Sequence, residues 1–249
     1  MAGHSKWANI KHRKGRQDAK RGKLFAKLAK AIEVAAREGG GSVEFNPTLA
    51  TAVDKAKAAD MPNDNIDRAI KRGTGEVQGA TYEEFYYEGY GPGGVALYVL
   101  ILTDNRNRAA SDVRSTFTRH NSNLGEPGSV GYLFSQKGVI LANGSEEEVM
   151  LTALDAGAED IRDAGEGMFE VITEAGDLRR VREALASSGV GIESADVTQL
   201  PSNLVPVEES DAKKLLRLID ALDDLDDVQE VYSNYDIEDT VMEKVLTEA

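Results

Sequence analysis

The sequence predicts a multi-domain α and α+β protein: an N-terminal three-helix bundle plus two α+β domains, at least one ferredoxin-like, the third inserted in the second. Three observations predict it. Residues 18 to 73 carry apolar side chains at helical spacing, broken by short Gly- and Pro-marked links. From Tyr82 onward β-rich runs alternate with helices, and one stretch reads βαββαβ. The chain has 249 residues, more than the roughly 100–200 expected of one domain.

Residues 1 to about 17 hold only Trp7 and Ile10 as large apolar groups. That is too little burial to offset about 1–2 kcal/mol of backbone ordering per residue, so the segment reads as an arm. From Asp18 to Glu38, Leu24, Leu28, Ala31, Ile32 and Ala35 form one helical stripe; Lys20, Lys23, Lys27, Lys30 and Arg37 form a second beside it. Gly39-Gly40-Gly41 ends that helix, Asn46-Pro47 caps and opens the next, and Pro62 opens a third that stops at Gly73.

Tyr82 to Tyr90 and Val95 to Leu102 flank a Gly/Pro turn and read as a hairpin. Asp104-Asn105 caps a helix to about His120, and Asn121 to Gly128 is a loop. A strand over 131–141, a helix opened by Ser145 and Glu148, strands near 158–162 and 168–173, a helix over 177–187 and a strand over 192–199 complete the βαββαβ series. A helix over 208–222 and a strand near 228–232 are too little for a domain, as is the earlier hairpin with its helix. The two pieces are therefore expected to pack together around the inserted series. The expected domains are 1-78, 79-130 plus 201-239, and 131-200.

Charge points to function. The first thirty residues carry ten Lys/Arg and one Asp, a net of +9, while the whole chain is −14. Cations gathered at one end of an acidic chain predict a polyanionic partner, with nucleic acid first. The candidate nucleic-acid-binding residues are Lys6, Trp7, Lys11, Arg13, Lys14, Arg16, Lys20, Arg21, Lys23, Lys27 and Lys30. Trp7 is the only Trp, and among Lys and Arg it offers a stacking face for an unpaired base. Arg68, Lys71 and Arg72 form a second basic group; Arg106, Arg108, Arg114 and Arg119 are surface charges or further phosphate contacts.

Other chemistries are poorly served. There is no cysteine, and the three histidines fit no HExxH pattern. Gly89, Gly91 and Gly94 match G-x-G-x-x-G, but a strand follows and Pro92 removes an N–H, so a hairpin turn is expected rather than a phosphate loop. Asp223-Asp224-Leu225-Asp226-Asp227 lacks the calcium-loop pattern and reads as solvated surface that holds the acidic lobes off a phosphate backbone. No cofactor, metal or catalytic residue is expected. The longest apolar run, Val95 to Leu102, falls far short of the ~20 residues of a membrane span. A cytoplasmic, non-enzymatic protein is expected.

The opening run from Met1 through His4, Lys6, Trp7 and His12 to Lys14 resembles the start of the YebC/PmpR family. So do Lys23-Leu-Phe25, Asn46-Pro47, Met61-Pro62-Asn63, Ala69-Ile70-Lys71, the Tyr86 to Gly94 turn and Thr103 to Arg108, and the likeness covers nearly the whole chain. It implies an N-terminal helical bundle and two α+β domains, the third inserted in the second. It also implies a cytoplasmic DNA-binding regulator of transcription, with relatives that activate translation or act on stalled ribosomes. The partner is thus DNA or ribosomal RNA, with the ribosome a further candidate.

Overall fold

The computed structural model of the chain describes residues 21–247. Three helices come first: α1 (Arg21–Gly39), α2 (Pro47–Ala58) and α3 (Asn63–Gly73). Their apolar stripes meet in one buried cluster that includes Ile32, Ala35, Leu49, Val53, Ala56, Ile66 and Ala69, with Phe25 and Leu28 at its edge. The small side chains let the backbones approach. At Gly73 a Cβ would lie 2.4 Å from the Glu33 carbonyl, so only glycine fits where α3 crosses α1. Asn46 ties the first link: its side chain accepts from Leu49 N at 3.0 Å and donates to the Ala35 and Gly40 carbonyls at 2.7 and 2.8 Å.

Two four-stranded sheets follow, and the structure as a whole is mixed α+β. β1 (Glu83–Tyr90) and β2 (Ala96–Thr103) pair antiparallel through a turn in which Gly93 and Gly94 have φ of 73° and 75°. The glycine-rich run is thus a hairpin turn, as its flanking strands predict. Asn105 caps α4 (Arg106–Arg119) by accepting from Arg108 N at 3.1 Å, and β3 (Asn123–Leu124) returns to pair with β1.

The second sheet is built from β4 (Phe134–Asn143), α5 (Glu146–Asp155), β5 (Asp160–Gly165), β6 (Met168–Glu174), α6 (Leu178–Ser187) and β7 (Gly191–Pro201). Its strand order is β5-β6-β4-β7 and every pairing is antiparallel. Val149 and Ala153 of α5 and Val181 and Leu185 of α6 bury against Ile140, Phe169 and Val171 of the strands. The sheet's ends meet: Phe134 at the start of β4 pairs with Pro201 at the close of β7.

The chain then returns to the first sheet through β8 (Val205–Pro206), α7 (Glu209–Asp223), β9 (Val228–Ser233), β10 (Tyr235–Asp236) and α8 (Asp239–Thr247). β9 pairs antiparallel with β2, giving the order β3-β1-β2-β9. One core results, joining Leu97, Val99 and Ile101 of β2, Val113 and Phe117 of α4, Leu215, Leu218 and Leu222 of α7 and Met242 and Val245 of α8. On the opposite face of β1 and β2, Tyr86 stacks on Tyr98 at 4.1 Å and Tyr98 on Phe134 at 5.4 Å, so aromatic rings tie the two sheets at their junction.

Sequence reading missed β3, the parallel β8–β10 pair and α8, and took residues 131–133 as strand where they form a single tight 3₁₀ turn. Each missed strand is two residues long, too short for a period-2 pattern to register.

Candidate nucleic-acid interface

Of the sequence-predicted residues, Lys6, Trp7, Lys11, Arg13, Lys14, Arg16 and Lys20 lie outside the described residues. Arg21, Lys23, Lys27 and Lys30 occupy the first three turns of α1. Arg21 is exposed; it lies 3.3 Å from Asp60 and 5.9 Å from the centre of the Phe25 ring.

The other three share one face, as their spacing of four and three requires. They do not fan into open solvent. Lys27 Nζ donates to the Asp223 carbonyl at 2.6 Å, Lys23 Nζ to the Asp224 carbonyl at 2.8 Å and Lys30 Nζ to the Asp226 carbonyl at 2.8 Å. Lys30 also reaches Asp227 Oδ1 at 3.2 Å. The acceptors are the C-terminal end of α7 and the turn after it, where carbonyls beyond the reach of intrahelical donors and the negative end of the helix dipole favour cations. The lysine stripe and the acidic turn, remote in sequence, are brought together.

The solvated-surface reading of that turn fails for one member. Asp227 is 5% exposed, and Arg108 holds it with Nε on Oδ2 and Nη2 on Oδ1, both at 2.9 Å. Burial alone would raise its carboxyl; the hydrogen bonds from Arg108 and Lys30 outweigh this and hold it below the ordinary aspartate value. Arg108 also takes Asp104 at 2.7 Å, so it is a structural cation rather than an open phosphate contact. Arg106 lies over the Phe85 ring at 4.3 Å and pairs with Glu83 at 3.0 Å. In the second basic group Arg68 and Lys71 are exposed on α3, while Arg72 pairs with the buried Glu33 at 2.9 Å.

A cleft of about 1330 Å³ opens beside the stripe, between the first two helices and the two sheets. Lys23 and Lys27 line one wall, Arg179 and Arg182 of α6 another, and Lys55 meets Asp196 of β7 at 3.0 Å within it. Two exposed aromatics escaped the sequence reading: Phe45, 84% exposed in the α1–α2 link, and Tyr132, 75% exposed before β4. Each lies in a short run punctuated by Gly, Asn or Pro, but Val43 beside Phe45 and Val130 and Phe134 beside Tyr132 sit at strand spacing, so nothing local marked either ring as exposed. Among the described residues no three His, Asp or Glu stand together as metal ligands, and no helix is long and apolar enough to cross a membrane.

Comparison with known proteins places these features. A family model described as the TACO1/YebC protein N-terminal domain matches residues 5–76, and one described as the TACO1/YebC second and third domain matches residues 82–235. A protein of Halothermothrix orenii named "Probable transcriptional regulatory protein" is 53% identical over 254 residues, covering 100% of each chain. One of the same name from Acidothermus cellulolyticus is 56% identical, covering 98% of this chain and 100% of its own. The crystal structure of a conserved hypothetical protein from Aquifex aeolicus is similar at 49% identity and a TM-score of 0.83, covering 94% of this chain and 98% of that one. Matched in order along its length and alike end to end with these relatives, the chain belongs to the TACO1/YebC family.

Proposed function

We propose that this protein is a non-enzymatic, cytoplasmic nucleic-acid-binding regulator of gene expression, and in the first place a DNA-binding transcriptional regulator. The observation that carries the proposal is the concentration of +9 in the first thirty residues of a chain that is −14 overall. Relatives more than half identical that bear the name of transcriptional regulators support it. The leader and the start of α1 supply phosphate contacts, and the acidic remainder orients the molecule by repulsion. On the same view the chain divides at 1-78, 79-130 with 201-239, and 131-200. Separate buried clusters support that division, and the strand order of the inserted unit supports a ferredoxin-like fold for it.

A second reading is favoured by two features. α3, the most polar helix of the bundle, exposes Asp64 and Asp67 beside Arg68 and Lys71, a poor profile for reading a major groove. The exposed rings of Phe45 and Tyr132 suit an irregular, unpaired RNA surface instead, as ribosomal RNA offers.

The test is binding of a 30-base-pair DNA duplex across a salt series. If six leader cations touch phosphate, log K against log salt falls with a slope of about −5. A flat dependence removes the proposal. Co-sedimentation with ribosomes, lost when Lys6, Lys11, Arg13, Lys14 and Arg16 are all changed to Gln, selects the second reading.

A further inference from the structure

The stripe of lysines on α1 is already occupied. Three ammonium groups, each one helical turn from the next, end on three backbone carbonyls of a single turn that carries four aspartates. Carbonyl dipoles at a helix C-terminus together with closely spaced carboxylates present to lysine what a row of phosphate oxygens presents: fixed acceptors of negative potential at short spacing.

The joint is also built to open. The buried cluster of the three helices shares no member with the core around α7 and β9. The cleft of about 1330 Å³ keeps the two bodies apart beside the contact. What crosses between α1 and the turn is hydrogen bonds and ion pairs, so separating the two uncovers no apolar core. The turn side is held in place, because Arg108 grips Asp227 and Leu222 is fully buried under it.

We propose that the turn Asp223–Asp227 is an autoinhibitory clasp, an internal mimic of a phosphate backbone that competes with nucleic acid for Lys23, Lys27 and Lys30. It rests on the nucleic-acid reading above and adds regulation to it. With the clasp shut, the protein engages a polyanion through its leader alone. A nucleic acid that displaces the turn gains the three lysines, while Lys55 and Asp196 still link the bundle to β7 across the cleft.

The test is a double-mutant cycle read by affinity for the 30-base-pair duplex at fixed salt. In the first variant Asp223→Asn, Asp224→Asn and Asp226→Asn remove charge without changing shape, and Asp227 is kept because it holds Arg108. Affinity rises about tenfold, within the usual range of coupling between two sites. The same three substitutions placed on Lys23→Gln, Lys27→Gln and Lys30→Gln give less than a twofold rise, because the competed groups are gone. Glu146→Gln, Glu147→Gln and Glu148→Gln on α5, an equal charge change elsewhere, also give less than twofold. Should the triple Asn variant fail to fold, Asp226→Asn alone, at an exposed position, gives a smaller rise with the same dependence on the lysines.

A rise of equal size with and without the lysines reflects overall charge and overturns the clasp. So does no rise in a folded variant while the wild type binds. If no form of the protein binds the duplex or a single-stranded 30-mer RNA at low salt, the nucleic-acid reading falls and the clasp with it.

Discussion

Arg108 and Asp227 form a two-pronged pair between the first turn of α4 and the strand-entry turn before β9, with both N···O distances at 2.9 Å. The pair connects two segments far apart in the chain. It fixes the end of α7 over the sheet edge and, through Lys30, connects that end to α1. One carboxylate thus serves three elements.

Arg108→Ala leaves that buried carboxylate with Lys30 at 3.2 Å as its cationic partner. The guanidinium is half exposed, so the full cost of a wholly buried pair does not apply; a loss of about 2 kcal/mol in urea-measured stability is expected. Arg108→Lys recovers only part of it, because an ammonium cannot make both bonds of the fork. Unfolding curves with an unchanged slope and a lower midpoint check this.

Glu88 provides the clearest pH dependence. Its carboxylate accepts from Gly128 N at 2.7 Å, Val130 N at 2.6 Å and Gly131 N at 2.7 Å, pinning the loop ahead of β4. Burial pushes its acid up, but the three backbone donors outweigh burial and hold it below the ordinary glutamate value. A carboxyl lowered on folding contributes stability that is present above its unfolded value and lost as pH falls through the folded one. Wild type therefore loses stability as pH drops through the acid range below that unfolded value. Glu88→Gln is expected to be about 1–3 kcal/mol less stable at neutral pH and to show a flatter acid limb. Stability measured from pH 7 down to pH 3 checks both.

Asn46→Ala removes a helix cap and strands two carbonyls in one change, at a residue only 4% exposed. About 2–3 kcal/mol is expected to go, against about 1 for an ordinary exposed cap. Asn46→Asp keeps the cap oxygen but turns a second acceptor, in a buried site, toward both carbonyls, so it should be no more stable than the alanine variant. Thermal melts of the three proteins give the order.

Two glycines should respond oppositely to alanine. Gly73→Ala sets a methyl against the Glu33 carbonyl and the Ala36 side chain, forcing α3 away from α1 at a cost of about 1–3 kcal/mol. Gly22, in the first turn of α1, has open space where its Cβ would stand; Gly22→Ala should stabilise by up to about 1 kcal/mol. Paired calorimetry of the two variants reads the sign directly.

The helices of the bundle, the hairpin and most strands were legible because their causes are local. Asn46-Pro47, the Gly-rich turn before Val95 and the apolar stripe through Ile32 each lie within about a dozen consecutive residues. α8 was not legible: its inward side chains include Met242 and Val245, two positions of a short segment, and its burial is conferred by α7 rather than announced by its own pattern. The lysine stripe itself was readable from spacing, but its occupancy was not. Lys27 and Asp223 are separated by 196 positions, and no local period records which cation meets which turn. The same holds for Asp227: a run of aspartates looks solvated until an arginine from α4 folds over it.

The pairing of Phe134 with Pro201 has a consequence of its own. Paired strands lie about 5 Å apart, so everything from β4 to β7 leaves and re-enters the polypeptide through a gap one strand-pair wide. Such a doorway suits a graft. A different module whose two ends sit equally close could be spliced in there, and β2 and β9 would still find one another across the splice.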